Sequence, residues 1–501
     1  MRKPLLLLAG LVTLLAGAPA AAQATDVTVT SFDGTHIVAH WFPVAGASVA
    51  APRPTVMMGP GWGGAGDVDV NGTGSGAVGV PGIKTLHDAG YNVLTWDPRG
   101  FGKSGGTVEV DSASVEGRDT QKLIDWLATQ PQAKIDTPGD PRVGMAGASY
   151  GGGIQLVTAA IDHRVDAIAP SIAWNSQGTS LYKDSTVKTG WSGFLYGVAA
   201  GRSLDPHIKS AYTEGLATGV LSKDNADWFL SRGPGALIRK IVAPTLLIQG
   251  TVDTLFTLGE AQTNYKILRK NHVPTRLLWF CGGHGACLTD TGDTGRPAAA
   301  AVQWFARYLD GKKVATGPRF SGIDQNGRTF SSADYPPKAK KPIAATGKGT
   351  LTMSDASVAG PAKIGAGAGG LGSIVAAITP AKATTAVNVK VRARRAALVV
   401  GAPTVTLKYR GKIAGPRPAR VFGQLVDDKT GLVLGNQITP IPLRLDGRTH
   451  TVKRPLEIVS ERLKKGQSVT LQLVATTVAY AKPRLGGPVR FASVKVTLPT
   501  I

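Results

Sequence analysis

The run RVGMAGASYGGGIQ, residues 142–155, decides how the chain is read. Its apolar first half has the makeup of a buried strand, and GIQLVTAAI (153–161) suits a helix. Between them, Gly147-Ala148-Ser149-Tyr150-Gly151 leaves room only for a tight corner. A serine hydroxyl is a poor nucleophile unless a base takes its proton and the chain presents the oxygen clear of its neighbours. A sharp strand-to-helix turn does the presenting, and it needs small residues on both sides of the serine. Gly147, Gly151 and Gly152 meet that need. With 64 glycines in 501 residues, G-x-S-x-G alone is a weak signal; its setting between strand and helix carries the reading.

Such a corner predicts an acid after a later strand and a histidine after the next. PTLLIQG (244–250) is followed by Thr251-Val252-Asp253, and TRLLWFCGG (275–283) by His284. Asp253 is expected to orient the imidazole, and His284 to take the Ser149 proton and pass it on. Asp290 comes too soon after His284 to fit that order, and His272 lies in the polar run before its strand. An oxyanion would be met by two backbone N–H groups, from Tyr150 and from GPGWGG (59–64), with Trp62 in the donor position. Cys281 and Cys287 bracket His284 in CGGHGAC. In an oxidising compartment they are expected to pair, provided their Cα atoms come within about 7 Å. A metal site built from Cys281, His284 and Cys287 would lack a fourth ligand and consume the base, so no metal and no organic cofactor is expected.

Outward from this centre, short apolar runs alternate with helical patterns from residue 25 to 313, the signature of an α/β sheet. VTVTSFDGTHIVAHWFPV reads as a hairpin. Runs at 54–59, 91–96, 142–147, 165–170, 244–250 and 275–281 read as strands, and 114–130, 258–271 and 296–311 as helices. Residues 174–240 hold no convincing strand but carry Trp174, Trp191 and Trp228; they are expected to form a helical cap whose tryptophans line a substrate pocket. The stretch 359–387 is low-complexity and reads as loop. From 314 to 501 several alternating strands predict a β-sandwich or jelly roll. Residues 331–501 hold 27 Lys and Arg against 7 Asp and Glu, so nearly all of the formal +23 belongs to this part. That charge suits either a solvated surface or contact with an anionic surface such as a cell-envelope polymer or membrane headgroups; no nucleic-acid partner is expected. The start MRKPLLLLAGLVTLLAGAPAAAQA reads as an export signal ending in Ala22-Gln23-Ala24, which predicts a secreted or periplasmic protein beginning near Thr25.

With WDPRGFGKSGG (96–106), GASYGG (147–152), QGTVDTLF (249–256), the GGHG loop and WFARYLDG (304–311), the chain resembles α/β-hydrolases of the X-Pro dipeptidyl-peptidase and cocaine-esterase group. The resemblance implies an α/β-hydrolase fold with a helical cap, followed by a jelly-roll-like domain. It implies a serine hydrolase cleaving a carboxylic ester or amide through an acyl-enzyme at Ser149, Asp253 and His284. Asp97 and Arg99 would shape the turn beneath the site. Some members of the group place a tyrosine hydroxyl in the oxyanion hole; here the matching loop offers Trp62, through its backbone or its indole. The dipeptidyl-peptidases hold a free amine with acidic groups, for which Asp224 and Asp227 are available in the cap. Three readings follow: an ester or amide hydrolase of small or peptide-like substrates, a strict X-Pro dipeptidyl-peptidase, and a non-catalytic envelope-binding protein.

Overall fold

A computed structural model describes residues 25–363 and 370–501. The proposed export signal, residues 1–24, lies outside the described residues.

Ten strands form one mixed sheet: β1 (Thr25–Thr30), β2 (His36–Phe42), β3 (Thr55–Gly59), β4 (Asn92–Trp96), β5 (Val143–Ala148), β6 (Val165–Ser171), β7 (Thr245–Gly250), β8 (Thr275–Phe280), β9 (Phe320–Ile323) and β10 (Thr329–Ser332). Their spatial order is β1-β2-β4-β3-β5-β6-β7-β8-β9-β10. The hairpin β1–β2 is antiparallel, and β4 through β9 run parallel. The central strands are buried on both faces, which is why their sequences are continuously apolar rather than alternating. Met57, Leu94 and Met145 pack on one face with Leu123, Leu156 and Leu268. Val56, Val93 and Ala146 pack on the other with Ile83, Trp304 and Phe305.

The helices are α1 (Ile83–Asp88), α2 (Glu116–Leu127), α3 (Tyr150–Ile161), the cap helices α4 (Gln177–Ser180), α5 (Thr189–Val198), α6 (Pro206–Thr218) and α7 (Lys223–Leu230), then α8 (Leu258–Lys270), α9 (Arg296–Tyr308) and α10 (Gly370–Ile378). Two expectations are corrected here. The domain boundary drawn at 313 falls inside the sheet, because β9 pairs with β8 and β10 with β9. The stretch read as loop at 359–387 contains α10, whose Val375 and Ile378 pack beside Trp191 and Phe256; residues 364–369 within it lie outside the described residues. Apolar spacing at 375 and 378 is enough for a helix once α5 offers it a surface.

After β10 the chain is almost wholly antiparallel. Six strands form one sheet: Lys340–Thr352, Ala397–Gly401, Thr404–Lys412, Asp446–Pro455, Val459–Leu463 and Pro488–Thr500. Four form another: Val387–Arg392, Arg420–Asp427, Val433–Pro442 and Ser468–Val474. Val389, Leu407, Leu471 and Val494 belong to the core they enclose.

Candidate active site

Ser149, Asp253 and His284 all follow the C-terminal ends of parallel strands, β5, β7 and β8. The β5–α3 corner holds Ser149 at φ 58° and ψ −117°, a left-handed conformation that an L-residue keeps only under constraint. The constraint is close packing of backbone. A Cβ on Gly151 would sit 2.0 Å from the Gly59 carbonyl oxygen, and one on Gly152 would sit 2.6 Å from the Ser171 carbonyl oxygen. The glycines therefore let α3 start hard against β3 and β6, which turns the Ser149 side chain outward.

The structure brings the three predicted side chains into one chain of hydrogen bonds. His284 Nε2 lies 2.7 Å from Ser149 Oγ, and His284 Nδ1 lies 2.7 Å from Asp253 Oδ2. Asp253 is fully buried, and its Oδ1 accepts the backbone N–H groups of Leu255 at 3.0 Å and Phe256 at 2.8 Å. The imidazole stands edge-on between Trp191 and Phe256, with ring centroids 5.7 and 5.1 Å away. Cys281 and Cys287 form a disulfide with a Cα–Cα distance of 5.7 Å, closing the loop that carries His284. His272 and Asp290 take no part in this chain.

The amide of Tyr150 is the first in α3, where a helix has no internal acceptor for it. Trp62 stacks edge-on against Tyr150 and Phe101, and its indole N–H donates to the Leu195 carbonyl at 2.9 Å. The indole is thus committed to the cap, which leaves the Trp62 backbone N–H as its free donor. Below the corner, Arg99 grips Asp119 and Asp33, and Asp97 accepts the N–H groups of Gly66 and Lys103. Both residues are buried braces of the turn, as their motif implied.

A pocket of about 870 Å³, counting its open mouth, lies over Ser149 under the cap. Its lining is mostly aromatic and aliphatic, including Trp62, Trp174, Leu195, Tyr212, Phe229 and Phe256; Gln177 and Ser192 add neutral polar groups, and it contains no charged side chain. Of the predicted pocket tryptophans, Trp174 lines it. Trp191 instead stands behind His284, its indole bonded to Thr254 Oγ1 at 3.0 Å. Trp228 is corrected: it stacks on His207 with Arg232 over its ring, and its neighbour Phe229 turns inward. Asp224 and Asp227 also stay outside; they are exposed and reach His207 and Lys223. Behind Tyr150, Asp111 and Glu116 are sealed from solvent, and burial pushes Glu116 up to about 7 and Asp111 well above the carboxylate range.

A second ring of contacts, invisible to the motif reading, comes from the β-sandwich. In the strand Val433–Pro442, Gly435 and Asn436 have φ of 62° and 59°, a kink that pushes this edge into the acid and histidine loops. The Gln437 amide donates to the Asp253 carbonyl at 2.7 Å, and the Asn436 amide to the Ala286 carbonyl at 2.9 Å. Glu457 accepts from Thr257 Oγ1 at 2.9 Å and pairs with Lys183 of the cap. Lys188, buried just before α5 and pushed down to about 8 by that burial against the pull of Glu457, donates to the Thr254 and Leu255 carbonyls at 2.9 Å each. The loop bearing Asp253 is therefore held from three sides. Gln437→Leu leaves a buried carbonyl unpartnered, so a stability loss of about 1–3 kcal/mol is expected. A kcat loss of about ten-fold at nearly constant KM should accompany it, since a shift of the acid misplaces the base. Gln424→Leu, which breaks a buried amide pair elsewhere in the same sheet, should lower stability alone. Steady-state kinetics beside thermal melts of both variants check this.

Comparison with known proteins agrees with this architecture. A model of the X-Pro dipeptidyl-peptidase (S15 family) matches residues 33–286. An uncharacterized 31.7 kDa protein of Escherichia coli is 34% identical over 87 residues; the match spans 17% of this chain and 29% of that protein's length. Among solved structures, a CocE/NonD family hydrolase from Staphylococcus aureus superposes with a TM-score of 0.68 at 13% identity, covering 96% of this chain and 97% of that one. An alpha-amino acid ester hydrolase gives 0.73 at 13%, covering 98% of each chain. An aminopeptidase from a Thaumarchaeota archaeon gives 0.70 at 12%, covering 98% and 99%. At such identities these structures speak to the fold alone, an α/β core with a C-terminal all-β region; it is the family match, over half of the sequence, that makes this chain a member of the X-Pro dipeptidyl-peptidase S15 family of hydrolases.

Proposed function

We propose that this chain is an exported serine hydrolase that cleaves esters, and secondarily amides, of neutral apolar acyl groups through an acyl-enzyme. The observation that carries the proposal is the 2.7 Å approach of His284 Nε2 to Ser149 Oγ at the floor of a pocket without charge. His284 takes the hydroxyl proton as Ser149 Oγ attacks the substrate carbonyl, and Asp253 stabilises the imidazolium so formed. The carbonyl oxygen, now an anion, moves toward the backbone N–H groups of Tyr150 and Trp62. His284 then protonates the leaving group, the acyl group stays on Ser149, and water repeats the sequence in reverse.

The lining favours this reading over a strict X-Pro dipeptidyl-peptidase. A substrate's ammonium would need a carboxylate, and none lines the pocket. An unpaired cation there would meet mostly aromatic and aliphatic walls and a few neutral polar groups such as Gln177 and Ser192, at a desolvation cost of several kcal/mol. Export is supported by the leader-like first 24 residues and by the Cys281–Cys287 pair, which suits an oxidising compartment.

The test compares p-nitrophenyl butyrate with Ala-Pro p-nitroanilide. The ester is expected to be hydrolysed at least ~100-fold faster in kcat/KM, a gap of about 2.7 kcal/mol in transition-state binding. Anilide cleavage that matches or exceeds ester cleavage would make the chain a peptidase in the strict sense. Turnover of neither, with a folded protein, would remove the catalytic reading.

A further inference from the structure

The outer face of the six-stranded sheet is a separate feature, turned away from its core. Register fixes which side chains share that face, because directly paired residues of antiparallel strands point the same way. Thr406 pairs with Lys453 on one side and Lys495 on the other; Lys408 pairs with Thr451 and Ser493; Arg410 pairs with Thr449 and Arg490. On the next strand Thr350 pairs with Arg490 and Thr346 with Lys495, with Lys348 between them on the same side. Lys412 continues the row beyond Arg410. Along Thr404–Lys412 the residues between these, Val405, Leu407 and Tyr409, are buried in the sandwich core.

Seven cations, Lys348, Lys408, Arg410, Lys412, Lys453, Arg490 and Lys495, are thus all exposed on one face. None is ion-paired with a carboxylate among the described residues, although Lys412 stands opposite Asp446 in the register. The one acid at the rim, Asp446, is engaged by Arg444 and His450. Alternate residues on a strand are about 6.8 Å apart and neighbouring strands about 4.8 Å apart, so the charges form a flat grid. Arg410 and Arg490 lie directly opposite each other, and like charges in that position destabilise a sheet unless an anion lies between them. Guanidinium pairs suit the several oxygens of a phosphate better than one carboxylate, and the intervening threonines add hydroxyl donors. No large apolar side chain is exposed on these strands, so the face has nothing to insert into a bilayer.

We propose that this face binds a hydrated linear polymer of phosphodiesters, of the polyol-phosphate type found outside cells, lying across the strands with successive phosphates on successive cations. It docks the enzyme to an anionic matrix through residues that take no part in lining the pocket.

The probe is soluble poly(glycerol phosphate), and the measurement is its affinity for the full chain between 50 and 300 mM salt. Wild type is expected to bind with an affinity that falls steeply with salt, as counterion release requires. Replacing Lys408, Arg410 and Arg490 together by serine should weaken binding at least ten-fold and flatten the salt dependence, and replacing the same three by glutamine should repeat the result. Removing the same net charge elsewhere, at Lys382, Lys464 and Lys465, should change affinity less than two-fold. Hydrolysis of a small ester, unchanged in every variant, reports that each is folded. Equal losses in the two sets of variants would reduce the effect to overall charge and overturn the proposal. So would no binding by wild type at 150 mM salt, or tighter binding to phosphatidylglycerol vesicles or to duplex DNA than to the free polymer.

Discussion

Ser149→Ala is expected to abolish labelling by a fluorophosphonate and to lower kcat/KM for an activated ester by ~10^3-fold to 10^6-fold, about 4–8 kcal/mol of transition-state stabilisation. The substitution is clean because alanine keeps the Cβ that already occupies the left-handed corner at φ 58°. The glycines that let α3 approach β3 and β6 stay in place, so the fold should be unaffected. What disappears is the one oxygen within 2.7 Å of His284 Nε2. The residue of activity would come from the Tyr150 and Trp62 amides and from pocket binding, which survive the change. A variant that still takes up the phosphonate on the same peptide would place the nucleophile elsewhere.

Asp253→Asn should cost about 10^4-fold in kcat with little change in KM. The argument rests on how the carboxylate is held. Oδ1 accepts two backbone N–H groups, so an asparagine must place its carbonyl oxygen there, since an NH₂ would face two donors. The NH₂ is then left facing His284 Nδ1, which must accept. A neutral imidazole that accepts at Nδ1 carries its proton on Nε2 and points it at Ser149. The base has become a donor. Stopped-flow kinetics with a chromogenic ester would measure the loss, and activity near the wild-type value would show that the tautomer is set by something other than Asp253.

The central sheet was legible because each buried parallel strand leaves a short apolar run, and the corner at Ser149 because close backbone contact admits only glycine. Asp253 and His284 could be placed by chain order once Ser149 was in hand. The strands at 320–323 and 329–332 were not legible as part of that sheet, since they are four residues each and the hairpin they form joins it only through a strand some forty residues upstream of the first. The orientation of Trp228 was hidden for a different reason: on a short amphipathic helix two adjacent aromatics, here Trp228 and Phe229, compete for the inward side, and tertiary packing decides. Gln437, Asn436 and Glu457 left no local signal at all. Amides and carboxylates are ordinary on strands, and their partners are between 150 and 274 residues away in the chain.

The kinked edge at Gly435 and Asn436 bears on how such chains can be cut and recombined. A fragment ending at Ser332 would retain Ser149, Asp253 and His284, yet it would leave the Asp253 and Ala286 carbonyls and the Thr257 hydroxyl without the groups that clasp them. The catalytic half is not a transplantable cassette. Any graft that exchanges the sandwich for a relative's must carry matching side chains at 436, 437 and 457, or re-engineer the loops they hold.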